Sequence, residues 1–273
     1  MVFGGDCLVI RLAGRLAFVL DAMLGRFLTM TVATATGWLV ALNVVVFALS
    51  LLAGAILVRL FHDRPVADEP DPVSWQEWAL ATSCVALNSG VTVAGWWLWR
   101  RGLIVVRPGG LGRSAADVAV LFVAMDFLMY VFHRAAHVGW LFPWVHATHH
   151  RYDRPRPLNL FVLNPAEVLG FGGLWLGVLC THPSTAAGIG VYLAINLSFG
   201  TLGHLGVEPF PRSVGRWPVL RHLGSSTFHA HHHGDRDVNF GFYTDVWDRL
   251  FRTRRGDGVA ATVRQARPSG PSL

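Results

Sequence analysis

The chain has 273 residues, 52% hydrophobic and only 15% charged, with a mean hydropathy of +0.42; a soluble domain averages about 25% charged residues, so a membrane protein is expected. The net charge of +6 comes entirely from arginine, since lysine is absent, and this excludes a P-loop lysine and a Schiff-base lysine. The arginines flank apolar runs and do not interleave with aromatics, so no nucleic-acid partner is expected.

Residues 1–36 read as an amphipathic, interfacial segment, with Arg11 and Arg15 one turn apart. Arg11, Arg15, Asp21 and Arg26 interrupt its apolar run, so no cleavable signal peptide is expected. Residues 37–113 read as N-terminal transmembrane helices and loops. Gly37 to Val58 carries no charge and is long enough to cross a bilayer, which takes ~20 residues. A polar loop follows over 59–74, with Asp63, Asp68, Glu69 and Asp71. Ala79 to Trp99 is a second uncharged span. Trp75, Trp78, Trp96, Trp97 and Trp99 sit near its ends, as interfacial tryptophans do. Arg100, Arg101, Arg107 and Arg113 then surround a Pro-Gly-Gly turn.

Residues 114–255 form the next unit. Its first part, 115–132, is apolar except for Asp117 and Asp126. Val168 to Gly203 is apolar and broken by Thr181-His182-Pro183-Ser184, which predicts two helices crossing out and back. Residues 256–273 read as a disordered tail. Cys7, Cys84 and Cys180 are scattered and odd in number, so three buried thiols are expected and no disulfide framework. The fold class is therefore an all-α integral membrane protein of about four transmembrane helices.

Three histidine clusters stand out within this apolar chain. They are His133 with His137, then His146, His149 and His150, then His229, His232 and His233. Imidazole is the commonest protein metal ligand. Helix positions i, i+3 and i+4 share a face, so each cluster can aim two or three nitrogens at one point. Eight such nitrogens exceed the four that structural zinc takes, which points to a two-metal site. His204, at the return end of the hairpin, suits a ninth ligand. His231 points away from its neighbours on a helix, and His62, His182 and His222 are isolated. Asp126 lies two turns before His133, where it can accept an imidazole N–H. An all-nitrogen site suits iron, zinc, copper or nickel.

The motifs resemble those of the fatty acid hydroxylase/sterol desaturase superfamily of membrane di-iron enzymes. Asp126-Phe127-Leu128-Met129-Tyr130-Val131-Phe132-His133-Arg134-Ala135-Ala136-His137 is similar to its D-x-x-x-Y-x-x-H-R-x-x-H. His146 to His150 resembles its second box. His229 to His233, with Asn239-Phe240-Gly241 and Trp247-Asp248-Arg249-Leu250-Phe251, resembles its third box and its ending. His204-Leu205-Gly206 is similar to its H-S-G. Where many relatives read H-P-L-E, this chain has Asn164-Pro165-Ala166-Glu167, which leaves open whether Asn164 completes the ligand set.

The resemblance implies an oxidoreductase with two iron ions held by His133, His137, His146, His149, His150, His204, His229, His232 and His233. Dioxygen and two electrons would hydroxylate or desaturate an alkyl carbon of a sterol-like or fatty acyl lipid. With no nucleotide fingerprint in the chain, the electrons would come from an external ferredoxin or cytochrome with its reductase. Two other classes compete. A histidine-rich metal transporter would place its ligands near the bilayer midplane. A membrane zinc hydrolase would carry a HExxH-like pair, which this chain lacks. The positive-inside rule puts the clusters, with Arg151, Arg154, Arg156 and the arginines after 212, in a cytoplasmic cap. The arginine-rich loop 100–113 conflicts with this: either 115–132 is only partly inserted or the rule is broken once.

Overall fold

A computed structural model describes residues 24–256. The interfacial reading of residues 1–23 and the reading of 257–273 as a tail lie outside the described residues.

Helix α1 runs over Val32–Leu60, opened by the Thr31 hydroxyl, which accepts from the Thr34 amide. It starts five residues before the expected Gly37, where the Thr31 hydroxyl caps it. Its Trp38, Leu42, Leu49 and Ile56 stay exposed, an apolar surface that suits lipid. Helix α2, Trp75–Arg100, starts at a capping box formed by Ser74 and Glu77. Asn43 of α1 donates to Thr92 of α2 at 3.2 Å, which satisfies polar groups inside an apolar pair. Trp75 and Trp78 are exposed as interfacial residues would be, but Trp96 is buried and its indole donates to the Phe27 carbonyl.

Helix α3 spans Leu111–Ala136. Its 26 residues extend about 39 Å at 1.5 Å per residue, enough to cross the hydrocarbon core. Two single-turn helices follow, α4 over Phe142–Val145 and α5 over Ala147–His150. Helices α6, Pro165–Thr181, and α7, Ala186–Gly203, form the out-and-back hairpin. The polar cap is closed by α8, Ser226–Gly234, and the short α9, Val246–Leu250. Helices α1, α2, α3 and α7 are long and apolar enough to cross a membrane, and α6 is a shorter apolar helix. Leu121, Met125 and Met129 of α3, Val178 and Leu179 of α6, and Tyr192 of α7 share one buried core with Tyr243. Cys84 is buried as expected. Cys180 is exposed, because it lies on the outer side of α6.

A contact that the sequence did not suggest places the arginine-rich loop. Strands β1, Val106–Arg107, and β2, Ser184–Thr185, pair in parallel, Val106 opposite Ser184. The buried Asp117 ties the same end together, 2.8 Å from Arg107 Nη2 and 2.7 Å from the Thr185 amide, which donates to it. The loop 100–113 thus sits with the hairpin tip, at the end of α3 opposite the histidine clusters. At the other end, Pro65 pairs with Val207, and Arg156 lies 2.6 Å from the buried Glu77. All three histidine clusters belong to that second end.

Candidate metal centre

The nine expected residues gather into two groups, divided differently from the sequence clusters. His133, His137, His146, His150 and His232 form one group; His149, His204, His229 and His233 form the other. Within each group the ligand atoms lie within 4.8 Å of one another. The groups adjoin: the rings of His150 and His233 stack with centroids 4.9 Å apart. His231 joins neither group, nor do His62, His182 and His222. His182 lies 3.2 Å from Asp117 at the far end, and His222 lies 2.9 Å from Asp245.

Each HxxHH cluster straddles the two groups. His146 and His150 are one turn apart and share a group, while His149 faces the other. His229 and His233 repeat the pattern, with His232 crossing over. Two nitrogens of each such cluster thus aim at one point, as the spacing allows, and the third turns to the neighbouring group. Steps of 100° per residue place i and i+4 only about 40° apart, but put i+3 about 60° to the other side.

Backbone carbonyls orient the rings. His133 Nδ1 lies 2.8 Å from Phe240 O, His204 Nδ1 2.8 Å from Gly200 O, His232 Nδ1 2.7 Å from Val238 O and His149 Nδ1 3.3 Å from Val162 O. A carbonyl only accepts, so each of these Nδ1 atoms carries the proton and each Nε2 carries a lone pair. His149 and His204 then face each other Nε2 to Nε2 at 3.3 Å, with no proton left to share. Both ring nitrogens of His137 are buried without a partner. Lone pairs converging in this way fit a cation, and neutral imidazoles are the form that ligates one.

Glu167 is the neighbour that sequence reasoning touched but did not assign. Its Oε1 lies 2.8 Å from His146 Nδ1, close in distance though not aligned as a hydrogen bond. Asn164 does not join either group: its side chain accepts from the Ala166 amide at 2.9 Å and caps α6. Asp126 is also corrected. It touches no histidine and instead accepts from the Thr244 hydroxyl at 2.6 Å, the Trp247 indole at 3.0 Å and the Tyr243 amide at 3.1 Å. The buried Asp248 accepts from the Phe240 and Gly241 amides at 2.8 and 2.7 Å. The Asn-Phe-Gly and Trp-Asp motifs therefore shape the loop whose carbonyls hold His133 and His232. The signal for this was present in the motif spacing, but not its physical role.

The fatty acid hydroxylase family matches residues 118–253, which contain all nine histidines. The chain belongs to that family. Among its relatives is the very-long-chain aldehyde decarbonylase GL1-1 of Oryza sativa, 34% identical over 146 residues, 50% of this chain and 23% of the relative. Methylsterol monooxygenase 2-2 of Arabidopsis thaliana is 29% identical over 156 residues, 55% of this chain and 57% of the relative. A cholesterol 25-hydroxylase-like protein of Danio rerio is 27% identical over 191 residues, 64% of this chain and 73% of the relative. The first two relatives are thus less than two-thirds covered by the chain. No solved structure gives a significant match.

In this fatty acid hydroxylase family member, burial first and mutual repulsion second push His146, His149, His229, His232 and His233 well below the ordinary imidazole value of 6.5. Burial pushes His204 down to about 4, against a raising effect of its bond to Gly200. The unfolded chain takes up protons near 6.5 and the folded chain only well below it, so acid favours unfolding. Metal-free protein is expected to hold a constant thermal midpoint above about pH 7 and to lose stability steadily from 6.5 down toward 4. Melting curves across that range check this; a midpoint that rises on acidification contradicts it.

Proposed function

We propose that the protein is a multi-pass membrane oxygenase that uses two irons, dioxygen and two electrons from an external donor to oxidise an alkyl carbon of a lipid. The observation that carries this reading is the pair of adjacent all-histidine groups, one with five and one with four members, at the ends of membrane helices. The bound irons would supply activation of dioxygen for attack on a C–H bond, which side chains alone cannot achieve.

The chain's own residues hold and orient. His133, His137, His146, His150 and His232 would hold one iron, and His149, His204, His229 and His233 the other. The carbonyls of Phe240, Val238, Gly200 and Val162 keep the protons on Nδ1 and the lone pairs inward. Glu167 places its carboxyl group beside His146. Burial of the cluster excludes water, which strengthens each of these interactions.

The metal end carries Arg64, Arg151, Arg154, Arg156, Arg212, Arg216, Arg221 and Arg236, more arginines than the loop 100–113. That asymmetry supports a cytoplasmic metal site. It also supports an acidic electron donor of ferredoxin or cytochrome type, steered by charge.

The test is direct. Protein purified without oxygen should bind about two irons per chain, consume dioxygen only with a reduced donor, and change the lipid profile of an expressing cell. Well-folded protein that takes up no transition metal after reconstitution overturns the reading. Metal flux in vesicles without dioxygen consumption would favour a transporter.

A further inference from the structure

The chain that follows the last histidine cluster does not stay at the level of the metal centre. Phe240 packs beside His133, but Tyr243 stacks on Phe122 of α3 with centroids 4.9 Å apart. Phe122 precedes His133 by about three turns of helix, roughly 17 Å. The Tyr243 hydroxyl donates to Asn196 of α7 at 2.6 Å. The chain then climbs back along α3, with Trp247 against Phe127 and Phe251 stacked on Tyr130. Helix α7 sets the depth of this excursion. Its 18 residues extend about 27 Å, no more than the ~30 Å of bilayer hydrocarbon, so the middle of a crossing α7 lies in hydrocarbon. Asn196 is near that middle.

Irregular backbone is tolerated at that depth only where its polar groups find partners inside the protein. This loop meets the demand. Phe240 and Gly241 donate their amides to Asp248, and Tyr243 and Thr244 donate theirs to Asp126. The Asp245 amide donates to the His222 carbonyl, and the Val246 amide to the Thr244 hydroxyl. The buried carboxylate within α3 thereby gains a role that an apolar span would otherwise not tolerate. On the outer side, Val246, Leu250 and Phe251 are exposed, and so are Val123, Phe127 and Val131 of α3, a lipid-facing stripe that the loop continues. Leu223 pairs with Thr244, and the segment leading into it exposes Trp217, Val219 and Leu220 together with Arg212, Arg216 and Arg221. Tryptophan and arginine beside an apolar surface suit the headgroup level of a leaflet. We propose that residues 240–251 form a re-entrant loop, dipping into the leaflet on the metal side with Val246, Leu250 and Phe251 against phospholipid acyl chains. This rests on the multi-pass membrane reading above. It gives lipid a hold on the element whose Phe240 carbonyl orients His133.

The test uses the full chain in vesicles of phosphatidylcholine and phosphatidylglycerol. Cys7 and Cys180 are replaced by serine, and the buried Cys84 is left in place. A nitroxide is then attached at Val246→Cys or Leu250→Cys, with Val123→Cys as the lipid reference and the exposed Asp237→Cys as the aqueous one. Dissolved oxygen concentrates in hydrocarbon and a nickel chelate in water, so the logarithm of the ratio of their relaxation effects changes sign between the two. It should be positive at Val246, Leu250 and Val123, and negative at Asp237. In the unaltered protein, a phospholipid with a diazirine midway along its acyl chain should crosslink within 246–251, which keeps the test decisive should a cysteine variant fail to assemble. A negative value at Val246 and Leu250 beside a positive one at Val123 overturns the re-entrant loop and leaves the membrane reading standing. Labels there that neither reagent reaches, with no crosslink, overturn it as well, since the face is then covered by protein. A negative value at Val123 overturns both.

Discussion

His149→Ala and His150→Ala, neighbours in the chain, are expected to strip different metals. His149 belongs to the four-histidine group and His150 to the five-histidine group. Losing one of four leaves three, so His149→Ala should fall to about one iron per chain. Losing one of five leaves four, the number a closed structural site uses. His150→Ala should therefore keep two irons, with affinity at one of them lowered. Activity should drop on the order of 10³-fold in His149→Ala, the scale of ~4 kcal/mol lost from the barrier when a metal's contribution disappears. Iron stoichiometry and Mössbauer spectra separate the two sites, since each iron gives its own doublet. Equal loss of both irons in both variants would contradict the division into groups.

This division marks the limit of what the sequence could tell. The number of imidazoles, their motifs and their apolar flanks were all legible, because metal-ligand residue types and helical spans are written locally. The hairpin was legible too, since Thr181 to Ser184 interrupts an otherwise continuous apolar run. What was not legible depends on tertiary placement. Helical stepping turns His149 away from His146 and His150, but that the side it turns to holds His204, His229 and His233 is set by the packing of distant elements. The carbonyls that fix the ring protons, at Val162, Gly200, Val238 and Phe240, have no side-chain signature at all. Asp126 was read against its own helix, where His133 follows two turns later. Its partners lie 117 to 121 positions away, at Tyr243, Thr244 and Trp247. The end that the arginine-rich loop occupies was hidden for the same reason: a two-residue strand pair between β1 and β2 fixes it.

Asp248→Ala should damage the metal centre without touching a metal ligand. The carboxylate is fully buried and accepts three bonds, from the Phe240 amide, the Gly241 amide and the Thr253 hydroxyl. Alanine leaves those buried donors unsatisfied, at a cost of about 3 kcal/mol or more. The same loop supplies the carbonyls that hold His133 and His232, both in the five-histidine group. That group should therefore lose affinity roughly 10- to 100-fold, as when other supports of metal-bound histidine are removed. The four-histidine group takes its carbonyls from Val162 and Gly200 and should keep its metal. Asp248→Asn retains an acceptor and should recover part of both losses. Thermal melts report the stability change, and metal titration followed by Mössbauer spectroscopy reports which site weakens. A variant that melts early yet binds both irons as tightly as the parent would show that the loop's shape, and with it the ring protons, does not depend on Asp248.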